Sequence, residues 1–302
     1  MINGILNIYK EKGYTSHDVV ARMRGILHQK KIGHTGTLDP AAEGVLPVCL
    51  GKATRICSML EDWDKEYRAV LLLGLETDTE DTTGQVTASA PVEVGEKEIQ
   101  EMMTSFVGSY QQVPPMYSAK KIGGRKLYEL ARQGITVERE PCPVEIYGIR
   151  IEEIQLPRVT FSVTCSKGTY IRSLCRDIGR KAGCGGCLEA LQRTRVGKNT
   201  LETAISLDRL EEMVREERLD EALIPIEQMF SDLPALSVKE EGEKLLYNGN
   251  PLDFSLLTCP DGSPDRKLLL EETVRIYDKE GRFIGVYLSD GLKRIKPVKL
   301  FL

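Results

Sequence analysis

A chain of 302 residues with 41 Lys and Arg against 45 Asp and Glu carries a formal net charge of −4. That length accommodates one large domain and a small one. No run of about 18 apolar residues occurs, and the opening MINGILNIYKEKGYTS lacks a basic start followed by a long apolar stretch, so neither a transmembrane helix nor a signal peptide is expected. Eight scattered cysteines without a secretory signal read as reduced thiols of a cytoplasmic protein. The charge is segregated. From Pro115 to Thr200, 16 Lys and Arg stand against 8 Asp and Glu; residues 1–60 hold 8 against 4; residues 201–230 reverse the balance, 3 against 9. Such segregation suits a basic face for a polyanion, although a solvated mixed surface produces the same counts.

In chain order, Ser16 reads as an N-cap, because Val19, Val20, Met23, Ile26 and Leu27 then recur at helical spacing. The stretch GHTGTLDPAAEGVLP, Gly33 to Pro47, places Asp39 among glycines and apolar side chains. Taken alone, Asp followed by Pro marks a helix start. In context, Gly33, Gly36 and Gly44 let backbone pass close to a ligand, and His34 is poorly placed for core packing. An aspartate near Leu38, Val45 and Leu46 serves as nucleophile or base when a cation steadies its charge.

Residues 66–74 predict a buried strand, Ile99, Met102, Met103 and Phe106 a second helix, and residues 144–165 two strands of period two. The basic segment Pro114 to Gly134 interleaves Tyr117 and Tyr128 with Lys120, Lys121, Arg125 and Lys126, and suits phosphate contacts on a mobile loop. After a turn at Lys167-Gly168, IRSLCRDIGRKAG predicts a helix closed by Gly183, with Tyr170 and Arg172 where strand becomes helix. Arg172 offers a planar fork that matches a carboxylate. RTRVG, Arg193 to Gly197, adds two more positive charges to this basic set, with a solvated loop as the alternative reading. Ser206 caps a further helix. Pro225 and Pro234 suggest a boundary, followed by short strands over about 70 residues that suggest a small barrel.

Several chemistries are disfavoured. Cys184 and Cys187 form a lone CxxC without a second pair, and TDTEDTTG, Thr77 to Gly84, lacks the alternating ligands and closing glutamate of a calcium loop. No P-loop, Ser-His-Asp order or dinucleotide fingerprint appears.

Taken together, NGILNIYKEKGYTSHDVV, GHTGTLDPAAEGVLPVCLGKATR, KEYRAVLLLGLETDTEDTTG, VPPMYSAKKIGGRKLYELAR, SKGTYIRSLCRDIG and LQRTRVG resemble, in order, the motifs of the TruB family of bacterial tRNA pseudouridine synthases. Glu11 stands where that family usually has proline and Glu43 where it often has threonine. The resemblance implies an α+β fold: a mixed, mostly antiparallel sheet flanked by helices over residues 1–232, and a PUA-like RNA-binding barrel over 233–302. It implies isomerisation of uridine 55 in the T loop of tRNA to pseudouridine by a monomer, without cofactor or metal. Asp39 is then the catalytic aspartate, attacking the sugar or assisting glycal formation. Arg172 pairs with it. Tyr67 stacks on the base and takes the proton from carbon 5. Tyr170 and Leu191 line the base pocket, and His34 fills the space vacated by the flipped nucleotide. An RNA-binding tRNA chaperone that needs no Asp39 is one rival reading, and a guide-dependent synthase is another.

Overall fold

The first sheet combines strands buried along nearly their whole length, Gly4–Lys10 and Glu43–Leu50, with others such as Arg158–Cys165 that alternate apolar and polar residues. The computed structural model describes residues 1–259 and 268–302. Its principal strands in the first two-thirds of the chain are β1 (Gly4–Lys10), β2 (Ile32–His34), β3 (Glu43–Leu50), β4 (Lys65–Leu73), β5 (Gly108–Gln112), β6 (Cys142–Gln155), β7 (Arg158–Cys165) and β8 (Gly186–Val196). Their order in the sheet is β1-β3-β8-β4-β7-β6-β5, with β2 pairing β3 off this path. All these pairs are antiparallel except β3 with β8, which is parallel over Gln192↔Glu43 and Arg193↔Gly44. RTRVG is therefore strand as far as Val196, not a solvated loop, and Arg193 points inward rather than to solvent.

The helices flanking this sheet are α1 (Ser16–Ile26), α2 (Glu96–Thr104), α3 (Ile171–Lys181) and α4 (Leu207–Arg215). Burial of their apolar stripes supplies most of their stability. Val19, Val20, Met23, Leu207 and Leu210 join Leu6, Ile8, Leu46 and Val48 in one core. Ile171, Leu174, Cys175 and Ile178 join Leu71, Phe161 and Val163 in another. Gly179 permits the close approach of α3 to β8, since a Cβ there would meet the backbone nitrogen of Gly186 at 2.2 Å. The expected caps hold for α4, whose Ser206 hydroxyl accepts from Arg209 N, but not for α1. There Thr15 is the N-cap, in a capping box with Asp18. Ser16 turns inward instead and accepts from the Leu38 amide at 2.9 Å.

The tail strands are β9 (Ala235–Val238), β10 (Leu252–Asp253), β11 (Leu257–Thr258), β12 (Leu270–Tyr277), β13 (Phe283–Asp290) and β14 (Arg294–Leu300). They form a six-stranded, barrel-like sheet in the order β10-β14-β13-β12-β9-β11, around Leu236, Leu246, Val274, Ile276 and Tyr287. Residues 260–267 of the expected tail lie outside the described residues. This sheet docks on the first. Val286, Phe301 and Phe230 share a hydrophobic cluster with Ile5, Ile56 and Leu60, and Arg55 Nη1 donates to the Leu300 carbonyl at 2.6 Å.

Candidate active site

Asp39 sits in the loop between β2 and β3, and no helix follows it, so the Asp-Pro pair is not a helix start; Pro40 instead forms a turn in which the Ala42 amide donates to the Asp39 carbonyl. Both ends of the loop are anchored. Thr35 is buried and donates to Pro47 O through its amide, and Leu38 enters the core beneath the sheet. The Asp39 side chain keeps 42% of its surface exposed, whereas that of Arg172 keeps 5%. Arg172 Nε lies 2.9 Å from Oδ2, and Nη2 donates to Oδ1 at 3.3 Å. The close ion pair at Nε, which is not aligned as a hydrogen bond, and the single Nη2 bond together restrain the carboxylate's orientation.

Arg172 is itself held from three sides. Its Nη2 donates to the Tyr117 carbonyl at 2.8 Å and its Nη1 to the Thr79 carbonyl at 3.0 Å, with Asp81 Oδ2 3.9 Å from Nη1. It projects from the first turn of α3. Tyr170 precedes that turn without a side-chain cap; buried Gln112 on β5 serves in its place, its Oε1 accepting from Tyr170 N at 2.8 Å and its Nε2 donating to Tyr170 O at 3.0 Å. Beneath the turn, Glu80 accepts from the Ser173 hydroxyl at 2.5 Å and pairs with Arg176. The acidic loop Thr77 to Gly84 thus braces α3, and its hydroxyls and Asp81 bond to one another. Among the described residues no group of His, Cys, Asp and Glu is disposed to hold a metal ion.

Tyr67 on β4 is buried beside Asp39, opposite Val163 on one neighbouring strand and Arg193 on the other. Burial pushes its phenol up to about 12, against the opposing pull of the Arg193 guanidinium. Tyr170 faces Asp39 and Arg172, and burial raises its phenol too. Leu191 lies on β8 opposite Ala69, two positions from Tyr67's partner, and packs at the edge of the core that contains Tyr67 and Leu38. His34 stands apart, in a groove of about 480 Å³ with His17, Arg24, Lys30, Lys31 and Thr54. Its ring meets that of His17 edge-on at 5.8 Å, and its buried Nδ1 has no partner among the described residues. Burial, reinforced by His17 and Arg193, lowers its pKa and favours the neutral ring.

Two residues absent from the expected set complete the loop. Lys10 is fully buried, and its Nζ donates to the carbonyls of Tyr14 at 2.6 Å and Ala42 at 2.5 Å, with those of Glu11 and Pro40 further out. Arg193 is 1% exposed and donates to Val45 O at 2.7 Å and to Gly36 O and Thr37 O at 3.4 Å. Gly44 answers to this packing and not to a ligand, because a Cβ there would meet the Arg193 carbonyl at 2.3 Å.

Comparison with known proteins gives these residues a context. Residues 24–171 match the family model for the TruB family pseudouridylate synthase N-terminal domain, and residues 172–231 match the tRNA pseudouridylate synthase B C-terminal domain. The tRNA pseudouridine synthase B of Lachnoclostridium phytofermentans is 49% identical over the whole of both chains, and that of Clostridium kluyveri 42% identical over the same span. The chain belongs to the TruB family of pseudouridylate synthases. Among solved structures, a Cbf5-Nop10-Gar1 complex contains a chain that matches with a TM-score of 0.74 at 29% identity, covering 99% of this chain and 85% of that one. The TruB fold is thus present in both its parts, the mixed sheet with its helices and the PUA-like six-stranded sheet. Among the described residues no helix is long and apolar enough to cross a membrane.

Proposed function

We propose that this TruB family enzyme isomerises uridine 55 in the T loop of tRNA to pseudouridine, with Asp39 as the catalytic aspartate. The observation that carries the reading is the buried Arg172 guanidinium against a half-exposed carboxylate, which holds Asp39 in place and leaves it open to a substrate on its free side. In the reaction the bond from uracil N1 to the ribose breaks, the ring turns, carbon 5 takes the sugar, and the carbon-5 hydrogen leaves as a proton. The rearrangement conserves electrons, so its chemistry calls for no redox partner. Tyr67 stacks on the base and receives that proton as its own hydroxyl proton passes to water, while Tyr170 and Leu191 bound the pocket. His34, held neutral by burial, offers an uncharged ring to fill the gap left by the flipped nucleotide.

Residues 1–232 then act as the catalytic domain and 233–302 as a second grip on RNA. The exposed Lys121 and Arg125 lie on the hairpin of the 115–135 segment, where they meet phosphates. The relatives named tRNA pseudouridine synthase B support tRNA as the substrate. The test is tritium release from a T-loop hairpin labelled at uracil carbon 5, with the purified chain alone. Release by the wild type and none by Asp39→Asn is the expected result. No release without added guide RNA would favour a guide-dependent synthase, and binding without release at any condition would favour a chaperone.

A further inference from the structure

Arg193 has the largest fully buried side chain among the described residues, and none of their ion pairs includes it. An isolated buried charge is costly unless hydrogen bonds replace its water, and such groups are concentrated at functional sites. Its Nε, Nη1 and Nη2 each donate to a carbonyl of the loop that carries Asp39, those of Val45, Thr37 and Gly36. Arg193 is also the cross-strand partner of Tyr67 between β8 and β4, and its positive charge acts on the Tyr67 phenol from there. One buried cation therefore stands by both side chains that meet the substrate, holding the Asp39 loop through its backbone and facing Tyr67 across the β8–β4 pair.

Taking the proposed function as its basis, we infer that Arg193 is a positioning residue for proton removal from carbon 5. Its fixed charge lies across the strand pair from Tyr67, on the protein side of the phenol. When the carbon-5 to hydrogen bond breaks, its electron pair returns to the ring as a double bond and the proton goes to Oη. The hydroxyl's own proton leaves to water, and N1, freed when the glycosidic bond broke, takes a proton from water. Oη is briefly poor in protons during this exchange, and the fixed positive charge beside it stabilises that moment without reorganising. The other charged and titratable groups facing Tyr67 are Cys165 on β7 and Asp39 on its loop, with Lys65 beside Cys165 and Arg193. Asp39 opposes a proton-poor oxygen, and burial, which pushes the Cys165 thiol up to about 12, keeps that group neutral, which leaves Arg193 as the main support.

The experiment is a double-mutant cycle on the full chain with T-loop RNA, using Arg193→Met, Tyr67→Phe and both together, each repeated with uridine deuterated at carbon 5. Arg193→Met is expected to lower kcat by about 10²-fold, within the range of acid–base assistance, while KM changes by only a few-fold. Its carbon-5 deuterium isotope effect rises above that of the wild type, and the substitution adds little on top of Tyr67→Phe. Arg193→Lys, which keeps the charge, recovers part of the rate. If Arg193→Met does not fold, Arg193→Lys is paired with 3-fluorotyrosine at position 67, whose more acidic phenol should restore the lost rate. Losses that multiply independently, an unchanged isotope effect, or a 3-fluorotyrosine that rescues nothing would overturn this inference alone. A wild-type chain that forms no pseudouridine would overturn the proposed function beneath it.

Discussion

Lys10 Nζ donates to the carbonyl of Ala42 at 2.5 Å, although the two residues stand 32 positions apart and Ala42 lies three residues beyond Asp39. With Pro40 O also within its reach and Arg193 holding Gly36, Thr37 and Val45, the loop is gripped on both sides of the aspartate through its backbone. Burial pulls the Lys10 pKa down to about 8, against Asp39, which supports the charge. Glu43 and Asp18 also support it, and Arg193 opposes it. The ammonium has three donors and the free amine two. Activity is therefore expected to fall as pH rises through about 8, because the loop loses part of its grip.

Stability moves in the opposite sense. The folded pKa lies below the unfolded value of about 10.4, so between the two the unfolded chain binds more protons, and this group's contribution to stability rises with pH. A pH–rate profile alongside melting curves separates the effects. The activity limb near pH 8 should be absent in Lys10→Met, whose rate is low throughout, and the wild-type melting temperature should not fall in parallel with that limb on account of Lys10.

Arg172→Lys tests the fork. A lysine keeps the charge but cannot engage both carboxylate oxygens along with the carbonyls of Thr79 and Tyr117. Misplacement of a reacting group by about 1 Å costs about 10²-fold. The variant's single-turnover rate should drop by that order, with RNA affinity within a few-fold of wild type. A rate near wild type would show that charge alone suffices.

The parts of the site visible in the sequence were those with local signatures. Asp39 stood out because glycines and apolar residues surrounded it, and Arg172 because it opened a helix after a strand. Lys10, Gln112 and Arg193 gave no such signal, since their partners are backbone carbonyls and amides that any residue supplies. Only the sheet order, which sets β3 beside β8, brings Arg193 under the loop. Its sequence neighbourhood, RTRVG, has the composition of a surface loop. Ser16 was misread for a related reason. Thr15 and Ser16 both suit an N-cap, and the choice falls to Thr15 because Asp18 completes its capping box and Leu38 claims the Ser16 hydroxyl. The barrel-like tail was legible from its strand spacing, but not its parallel pair, β9 with β12, which joins segments about 40 residues apart.

RNA affinity should fall steeply with salt despite the net charge of −4. The local excess in residues 115–200 and the lysines near His34 are expected to carry the interaction, each phosphate neutralised contributing about 0.7 to 0.9 to the log–log slope. Titration between 50 and 200 mM salt measures it. Charge reversal at Lys121 and Arg125 should reduce the slope by one to two. A slope that stays flat in the wild type would place the basic segments away from the RNA.

Removing the tail tests how binding and folding divide. None of the candidate catalytic side chains lies beyond Pro234, so contacts made there with RNA would be felt alike in ground and transition states. Truncation at that point should raise KM for whole tRNA and leave kcat within a few-fold, and the effect should shrink on a minimal T-loop hairpin. The docking of the two sheets adds a cost. Phe230 packs on Phe301 and Phe283 with ring centroids 6.2 and 6.1 Å apart, and the same cluster covers Ile56 and Leu60. Truncation uncovers these residues, each worth about 1.5–3 kcal/mol when fully buried, so the shortened chain should melt several degrees lower. Ile56 closes the 3₁₀ turn Gly51–Ile56 that directly follows β3, the strand into which the Asp39 loop runs. A solubilising variant with Phe230→Ser and Leu60→Gln in the truncated chain guards against aggregation. Circular dichroism and melting establish that the fragment is folded before kinetics are read. If it is folded and kcat collapses on both tRNA and hairpin, the tail supports the active-site structure itself, and its role as a separate grip on RNA is wrong.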